Sequence, residues 1–295
     1  MIDKELLIAI SQIDTYNGES NDKELIKNLE YLEKAHAKIH NILITARMKN
    51  LMQDFGEKET DIYVVTFPKS GTTLMQMIVY QMTTEGNMDF EHLYDVSPWC
   101  RFSAYFNKEM PSGGERRIIK THDEYQMLSG IKKGKFIFVI RDCLDVIASL
   151  HQHIKDYNNP NADFKELANR KMRDWFEYNK SWLENKKGLN ILYINYEDLI
   201  THKKEAILEI STFLQIELDD AIMERVLQRT TLEFMKKHEN KFGEQPEQWK
   251  VYNNFIRNGQ IGEGKIKFTE EQLKEYRNLS KEYKQEDLYL QRYFK

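Results

Sequence analysis

The chain has 295 residues, a formal net charge of −4, and 41% hydrophobic and 12% aromatic residues, enough for a sizeable core and against global disorder. A slightly acidic chain is a poor general binder of nucleic acid, which requires phosphates to be neutralised. Two cysteines, Cys100 and Cys143, exclude a disulfide scaffold and suit reduced thiols in a reducing compartment.

The start, Met1-Ile2-Asp3-Lys4-Glu5, lacks the basic lead and apolar core of a signal peptide, and no apolar run approaches the roughly 20 residues that span a bilayer. The sequence reads as cytoplasmic, without membrane attachment. Residues 1–58 read as helical, with Gly18-Glu19-Ser20 parting a short helix from a long one. On the long helix Leu25, Leu29, Leu32, Ile39, Leu43 and Ala46 share one face. His36 and His40 lie four apart without a third ligand, and read as ordinary helix-surface histidines.

Asp61–Phe67 is almost continuously apolar, as a parallel strand buried on both faces requires. It runs into Pro68-Lys69-Ser70-Gly71-Thr72-Thr73 and then a helix that is apolar on most sides and therefore central. Strand, tight turn and helix start expose backbone N–H groups beside a lysine and hydroxyls, a site for phosphate or sulfate. Residues 86–115 show no clean period and carry Trp99, Phe102, Tyr105 and Phe106, an aromatic connection suited to a lid or acceptor wall.

Arg117–Lys120 predicts a second strand ending at Thr121-His122. Lys135–Ile140 predicts a third ending at Arg141, with a helix to His153, and residues 164–187 another helix. Asn190–Ile194 predicts a fourth strand, then Tyr196-Glu197-Asp198 and a helix through Leu214. The C-terminal third reads as helices and loops, one of them Arg257-Asn258-Gly259-Gln260-Ile261-Gly262. Alternating strands and helices predict an α/β fold: one domain over 1–295, a central, mostly parallel sheet flanked by helices on both faces, with 1–58 packed on it.

Ligands in such sheets bind beyond the carboxyl ends of the strands. Those ends supply Lys69 and Ser70, Lys120 and His122, Arg141, and Tyr196. The first turn is not the nucleotide-triphosphate loop: Lys69 precedes Gly71, and no glycine lies five residues upstream of it. No acidic residue at a second strand end offers itself to magnesium, so protein cations such as Lys69 and Lys120 would have to neutralise a leaving oxygen. His122 is a candidate general base. Arg141 and Ser149, with Arg257-Asn258-Gly259, could hold a second phosphate.

Five motifs in order, Phe67-Pro68-Lys69-Ser70-Gly71-Thr72-Thr73, Lys120-Thr121-His122, Arg141 with Ser149, Tyr196-Glu197-Asp198 and Arg257-x-Gly259-x-x-Gly262, resemble the cytosolic sulfotransferase family from about residue 60 to about 270. The resemblance implies transfer of a sulfuryl group from 3′-phosphoadenosine 5′-phosphosulfate, without a metal, to a hydroxyl or amine of a small-molecule acceptor. It implies the 5′-phosphosulfate on Lys69, Ser70, Gly71, Thr72 and Thr73, and the 3′-phosphate on Arg141, Ser149, Arg257, Asn258 and Gly259. The adenine falls near Tyr196 and Thr230, with Leu74 and Leu232 where the family carries aromatic rings, so Trp99 is a candidate to stack on it instead. His122 matches the catalytic base, and Lys69 and Lys120 the stabilising cations.

Phe67, Trp99, Phe102, Tyr125, His153 and Phe255, with Tyr105, Phe106 and Tyr157, are candidates for the acceptor pocket. Asp95, Asp123 and Glu124 are either solvated loop charges or attractors of a polar or cationic acceptor. Glu263-Gly264-Lys265 lacks the family's tryptophan. Lys265-x-x-x-Thr269-Glu270-x-x-x-Lys274 departs from the family's dimer motif, which predicts a monomer or a different dimer. Two alternatives remain open: a magnesium-dependent kinase with an atypical phosphate loop, and a non-catalytic nucleotide-binding protein of the same fold.

Overall fold

In a computed structural model the described residues are 23–111, 114–128, 130–157, 159–184, 189–243 and 255–286. In chain order they form α1 (Lys23–Phe55), β1 (Ile62–Thr66), α2 (Thr72–Thr83), α3 (Cys100–Phe106), β2 (Ile118–Thr121), α4 (Tyr125–Leu128), β3 (Lys135–Ile140), α5 (Cys143–Tyr157), α6 (Phe164–Glu184), β4 (Ile191–Asn195), α7 (Tyr196–Thr201), α8 (Lys203–Leu214), α9 (Asp220–Arg229), α10 (Leu232–Lys237) and α11 (Glu270–Glu286). The chain divides into two compact units, Met1–Asp54 with Arg101–Glu109, and Phe55–Cys100 with Met110–Lys295.

The second unit carries the sheet. Its four strands are parallel in the order β2-β1-β3-β4, with Val64 opposite Lys120 on one side and Ile137 on the other. The central strand β1, Ile-Tyr-Val-Val-Thr, is buried throughout, as its apolar run predicts. One sheet face is largely aliphatic: Ile62, Val64, Ile118, Ile137, Val139 and Ile194 pack with α2, α8 and α9. Helix α2 buries ten of its twelve residues, and each large apolar side chain so buried contributes roughly 1.5–3 kcal/mol. The opposite face is aromatic, with the Tyr63 and Phe136 rings stacked at 4.5 Å and Phe138 packed on Trp182 of α6 at 5.7 Å.

A buried ion pair ties the amino ends of β1 and β2 together. Arg117 donates to both carboxylate oxygens of Asp61 at 2.7 Å and to Phe55 O at 2.8 Å. With the strands locked at that end, their carboxyl ends are set side by side at the other. Cys100 and Cys143 are both buried thiols.

Several expectations need correction. The 86–115 stretch is not one irregular connection. Leu93–Asp95 is a capped 3-10 turn in which Asp95 accepts from His92 N at 2.8 Å, α3 follows, and Trp99 pairs with Lys120 in an isolated parallel bridge. The helix after β4 breaks at His202 into α7 and α8. Helix α5 runs on to Tyr157. In the first unit the buried face of α1 carries Ile44 and Met48, while Ile39, Leu43 and Ala46 are exposed. Apolar residues run nearly round that helix, so periodicity selected the wrong stripe. His36 is exposed and stacks on His40, as surface histidines do. Gly18-Glu19-Ser20 lies outside the described residues.

Candidate active site

The turn after β1 is held in an unusual backbone shape. Lys69, a residue with a side chain, has φ +69°, and Gly71 has φ +89°, a conformation that costs an L-residue roughly 1–2 kcal/mol. Gly71 is required twice over, because a Cβ there would fall 2.5 Å from the Tyr196 ring. The turn is braced from three sides. Arg141 donates from Nη1 to Lys69 O at 3.0 Å, the Thr66 and Thr72 hydroxyls meet at 2.6 Å, and His122 Nδ1 lies 2.8 Å from Thr66 O. Strain kept in place by several independent contacts marks a functional turn.

The His122 contact settles its tautomer. A carbonyl oxygen only accepts, so Nδ1 carries the proton and Nε2 presents its lone pair. Burial, and then the neighbouring Lys120 charge, hold this imidazole well below its ordinary pKa. It is therefore neutral at physiological pH, as a base must be.

Lys120 leaves β2 beside it. Its Nζ donates to Tyr94 Oη at 2.8 Å and lies 4.1 Å from the Trp99 ring centre and 4.9 Å from that of Tyr94. The Trp99 ring stands edge-on to His122 at 5.2 Å. Trp99 thus sits beyond β2, whereas Tyr196 follows β4 at the other edge of the sheet. Lys69 Nζ lies 4.8 Å over the Phe255 ring.

At the end of β3, buried Arg141 stacks 4.4 Å over the Tyr196 ring and donates from Nη2 to Gln260 O at 3.2 Å. The Tyr196 hydroxyl reaches Gly259 O at 3.5 Å, so one arginine and one tyrosine link the β1 turn to the Arg257–Gly262 loop. Ser149 is buried two turns along α5. Asn258 is exposed and donates to Glu263 at 2.8 Å. Two buried polar atoms here, Ser70 Oγ and Arg141 Nε, meet no hydrogen-bond partner among the described residues. Such atoms are rare in folded proteins, and a missing ion is one explanation for them. Both are donors beside a cationic turn, so they fit an anionic group.

His153 stacks on Tyr157 and stands edge-on to Phe255 at 6.3 Å. Burial, then Lys69, Lys120 and Arg257, push its imidazole down to about 3. Phe67 is edge-on to Tyr178 at 5.4 Å, and Tyr125 edge-on to Trp182 at 5.6 Å. Phe102 and Phe106 pack together in the first unit, with Tyr105 on Phe106.

The Thr230 hydroxyl proton is committed to Val226 O at 2.7 Å, so that oxygen can only accept. Leu74 packs into the core cluster with Tyr196, while Leu232 is 42% exposed at the start of α10. Asp123 is not a solvated charge: it is buried and accepts from Thr121 Oγ1 at 3.0 Å. Glu124 is exposed, and Asp95 is spent on its turn. Thr269 serves as a cap, exchanging bonds with Gln272 at the start of α11. Among the described residues no group of three or more His, Cys, Asp or Glu could hold a metal ion, and no helix is long and apolar enough to cross a membrane.

Sequence reasoning missed Tyr94, which lies in the unpatterned aromatic stretch and signals nothing by spacing. It also missed Asp145, whose carboxylate accepts from Gly262 N and Gly264 N at 2.7 Å each. The lost tryptophan at 264 was a usable signal. A Cβ at Gly264 would lie 2.4 Å from the Leu144 carbonyl, so no side chain fits there.

A family model described as the sulfotransferase domain matches residues 59–288. Sulfotransferase 1E1 of Mus musculus is 26% identical over 266 residues, covering 82% of this chain and 90% of that protein. Among solved structures, mouse sulfotransferase SULT7A1 complexed with PAP superposes with a TM-score of 0.65 at 22% identity, over 82% of this chain and 90% of that one. Retinol dehydratase in a complex with retinol and PAP gives 0.64 at 19%, over 81% and 86%. At those identities the two structures speak for the fold.

Proposed function

We propose that this chain, which belongs to the sulfotransferase family, takes its sulfuryl group from 3′-phosphoadenosine 5′-phosphosulfate and passes it to a hydroxyl or amine of a small-molecule acceptor. The observation that carries the reading is the juxtaposition at the β1 and β2 ends. His122 has its Nδ1 proton fixed on Thr66 O, on the same turn that carries Lys69 and the unpartnered Ser70 hydroxyl.

The residues present fit this donor. The β1 turn, Lys69 to Thr73, would hold its 5′-phosphosulfate, and Arg141, Ser149, Arg257, Asn258 and Gly259 its 3′-phosphate. Tyr196, Thr230, Leu74 and Leu232 would border the adenine. When bound, the donor supplies an activated sulfuryl group. His122 Nε2 takes the proton of the attacking hydroxyl or amine, and its lowered basicity keeps that lone pair available at neutral pH. Lys69 and Lys120 neutralise the charge that grows on the departing phosphate, held in place by Phe255, Tyr94 and Trp99. Phe67, Trp99, Tyr125, His153 and Phe255 supply apolar surface for the acceptor. Retinol in the complex with retinol dehydratase supports a small-molecule acceptor.

The reading places the protein in the cytoplasm as a monomer, or as a dimer through a surface other than the 265–274 segment. Thermal-shift measurements with 3′-phosphoadenosine 5′-phosphate (PAP), and with ATP with and without magnesium, test the donor class. PAP alone should raise the melting temperature. A shift confined to ATP with magnesium would favour the kinase reading and overturn this one.

A further inference from the structure

We infer that Asp145 is a positioning residue that shapes the Arg257–Gly262 loop into a site selective for a 3′-phosphorylated nucleotide. The inference rests on the proposed reading of the site.

Asp145 is buried in the first turn of α5. Its backbone is fixed, because Asp145 N donates to Asp142 Oδ1 at 3.0 Å, and Asp142 N in turn donates to Glu197 Oε1 at 3.0 Å. Its carboxylate is bidentate: Oδ2 takes Gly262 N and Oδ1 takes Gly264 N, each at 2.7 Å. Charge-assisted bonds of this length are the strong kind.

Four residues earlier, Arg141 Nη2 takes the carbonyl of Gln260. One short segment at the end of β3 therefore grips the loop with a cation at a carbonyl and an anion at two amides. A slip of one residue in the loop would break all three bonds. Gly264 makes the grip possible by lying flat on the Leu144–Asp145 backbone, where a Cβ would be 2.4–2.5 Å from three atoms. Gly259 and Gly262, at φ +62° and +82°, bend the loop between Arg257 and the clamp. Asp145 has no bond to the turn that would hold the 5′-phosphosulfate, which is braced by Thr66, Arg141 and His122 instead.

The clamp should thus matter only to the 3′ end of the nucleotide. Calorimetric titration of PAP and of adenosine 5′-monophosphate into wild type, Asp145→Ala and Asp145→Asn separates the ends. PAP binding should weaken at least tenfold in Asp145→Ala and less in Asp145→Asn, whose amide oxygen still accepts one glycine N–H. Affinity for adenosine 5′-monophosphate should stay within twofold in both, which also reports that each variant is folded. Unchanged PAP affinity, or equal weakening of both nucleotides, would overturn the inference. A wild-type chain that does not prefer PAP would overturn the functional reading itself, and the inference with it.

Discussion

Gly71→Ala probes the tightest point of the site. At φ +89° an alanine carries about 1–2 kcal/mol of backbone strain. Its Cβ would also lie 2.5 Å and 2.8 Å from two carbons of the Tyr196 ring, where ordinary contact needs 3.4–4 Å. The ring must retreat by about an ångström, which disturbs its stacking with the Arg141 guanidinium, and overpacking of that kind costs roughly 1–3 kcal/mol. The total is a loss of about 2–5 kcal/mol, accompanied by weaker PAP binding, since both proposed phosphate sites lean on Tyr196 and Arg141. Urea denaturation of the single variants and of Gly71→Ala/Tyr196→Ala divides the two contributions. With the ring removed, the packing part vanishes and Gly71→Ala should cost only its backbone strain. Equal costs in the two backgrounds would refute the claim that the turn is shaped against Tyr196.

Tyr94→Phe deletes the hydrogen bond to Lys120 and leaves the cation on the Trp99 face. A bond to a charged group is worth about 1.5–3 kcal/mol, so transfer should slow about tenfold or more in kcat with PAP affinity unchanged; equal loss of PAP affinity would contradict this. His153 gives a stability signature. Its folded pKa of about 3 lies below the ordinary 6.5, so the unfolded chain binds more protons between these values, and the contribution is intact above pH 6.5 and lost as pH falls through that window. At pH 5 the loss is about 2 kcal/mol, and His153→Gln should flatten the pH dependence of urea midpoints between pH 7 and 5, whereas identical slopes would show that the ring titrates normally.

The strands and the phosphate turn were legible because each is written locally. Ile62–Val65 and Phe136–Ile140 are unbroken apolar runs, and the strand-Lys-Ser-Gly-helix pattern is contiguous. What the sequence concealed depends on distant pairs. The Asp145 carboxylate acquires meaning only when the glycine amides at 262 and 264 fold back onto it, 117 and 119 residues away. Tyr94 reaches Lys120 across 26 residues through a connection with no period of its own. Asp123 looked like a loop charge because its neighbour Glu124 is one, and only the packing of Thr121 and Trp182 around it shows that it is buried. The buried stripe of α1 was misread for a different reason: with Ile39, Ile42, Leu43, Ile44 and Met48 spread around the helix, periodicity alone does not choose among faces.

The proposed function stands or falls with His122 as the base of sulfuryl transfer. Its most direct measurement pairs PAP titration with transfer from sulfur-35-labelled 3′-phosphoadenosine 5′-phosphosulfate to a panel of phenols and amines, in wild type and His122→Ala. PAP affinity should stay within about threefold of wild type and transfer should fall by about 10²–10⁴-fold. Transfer retained by His122→Ala within tenfold of wild type would contradict it.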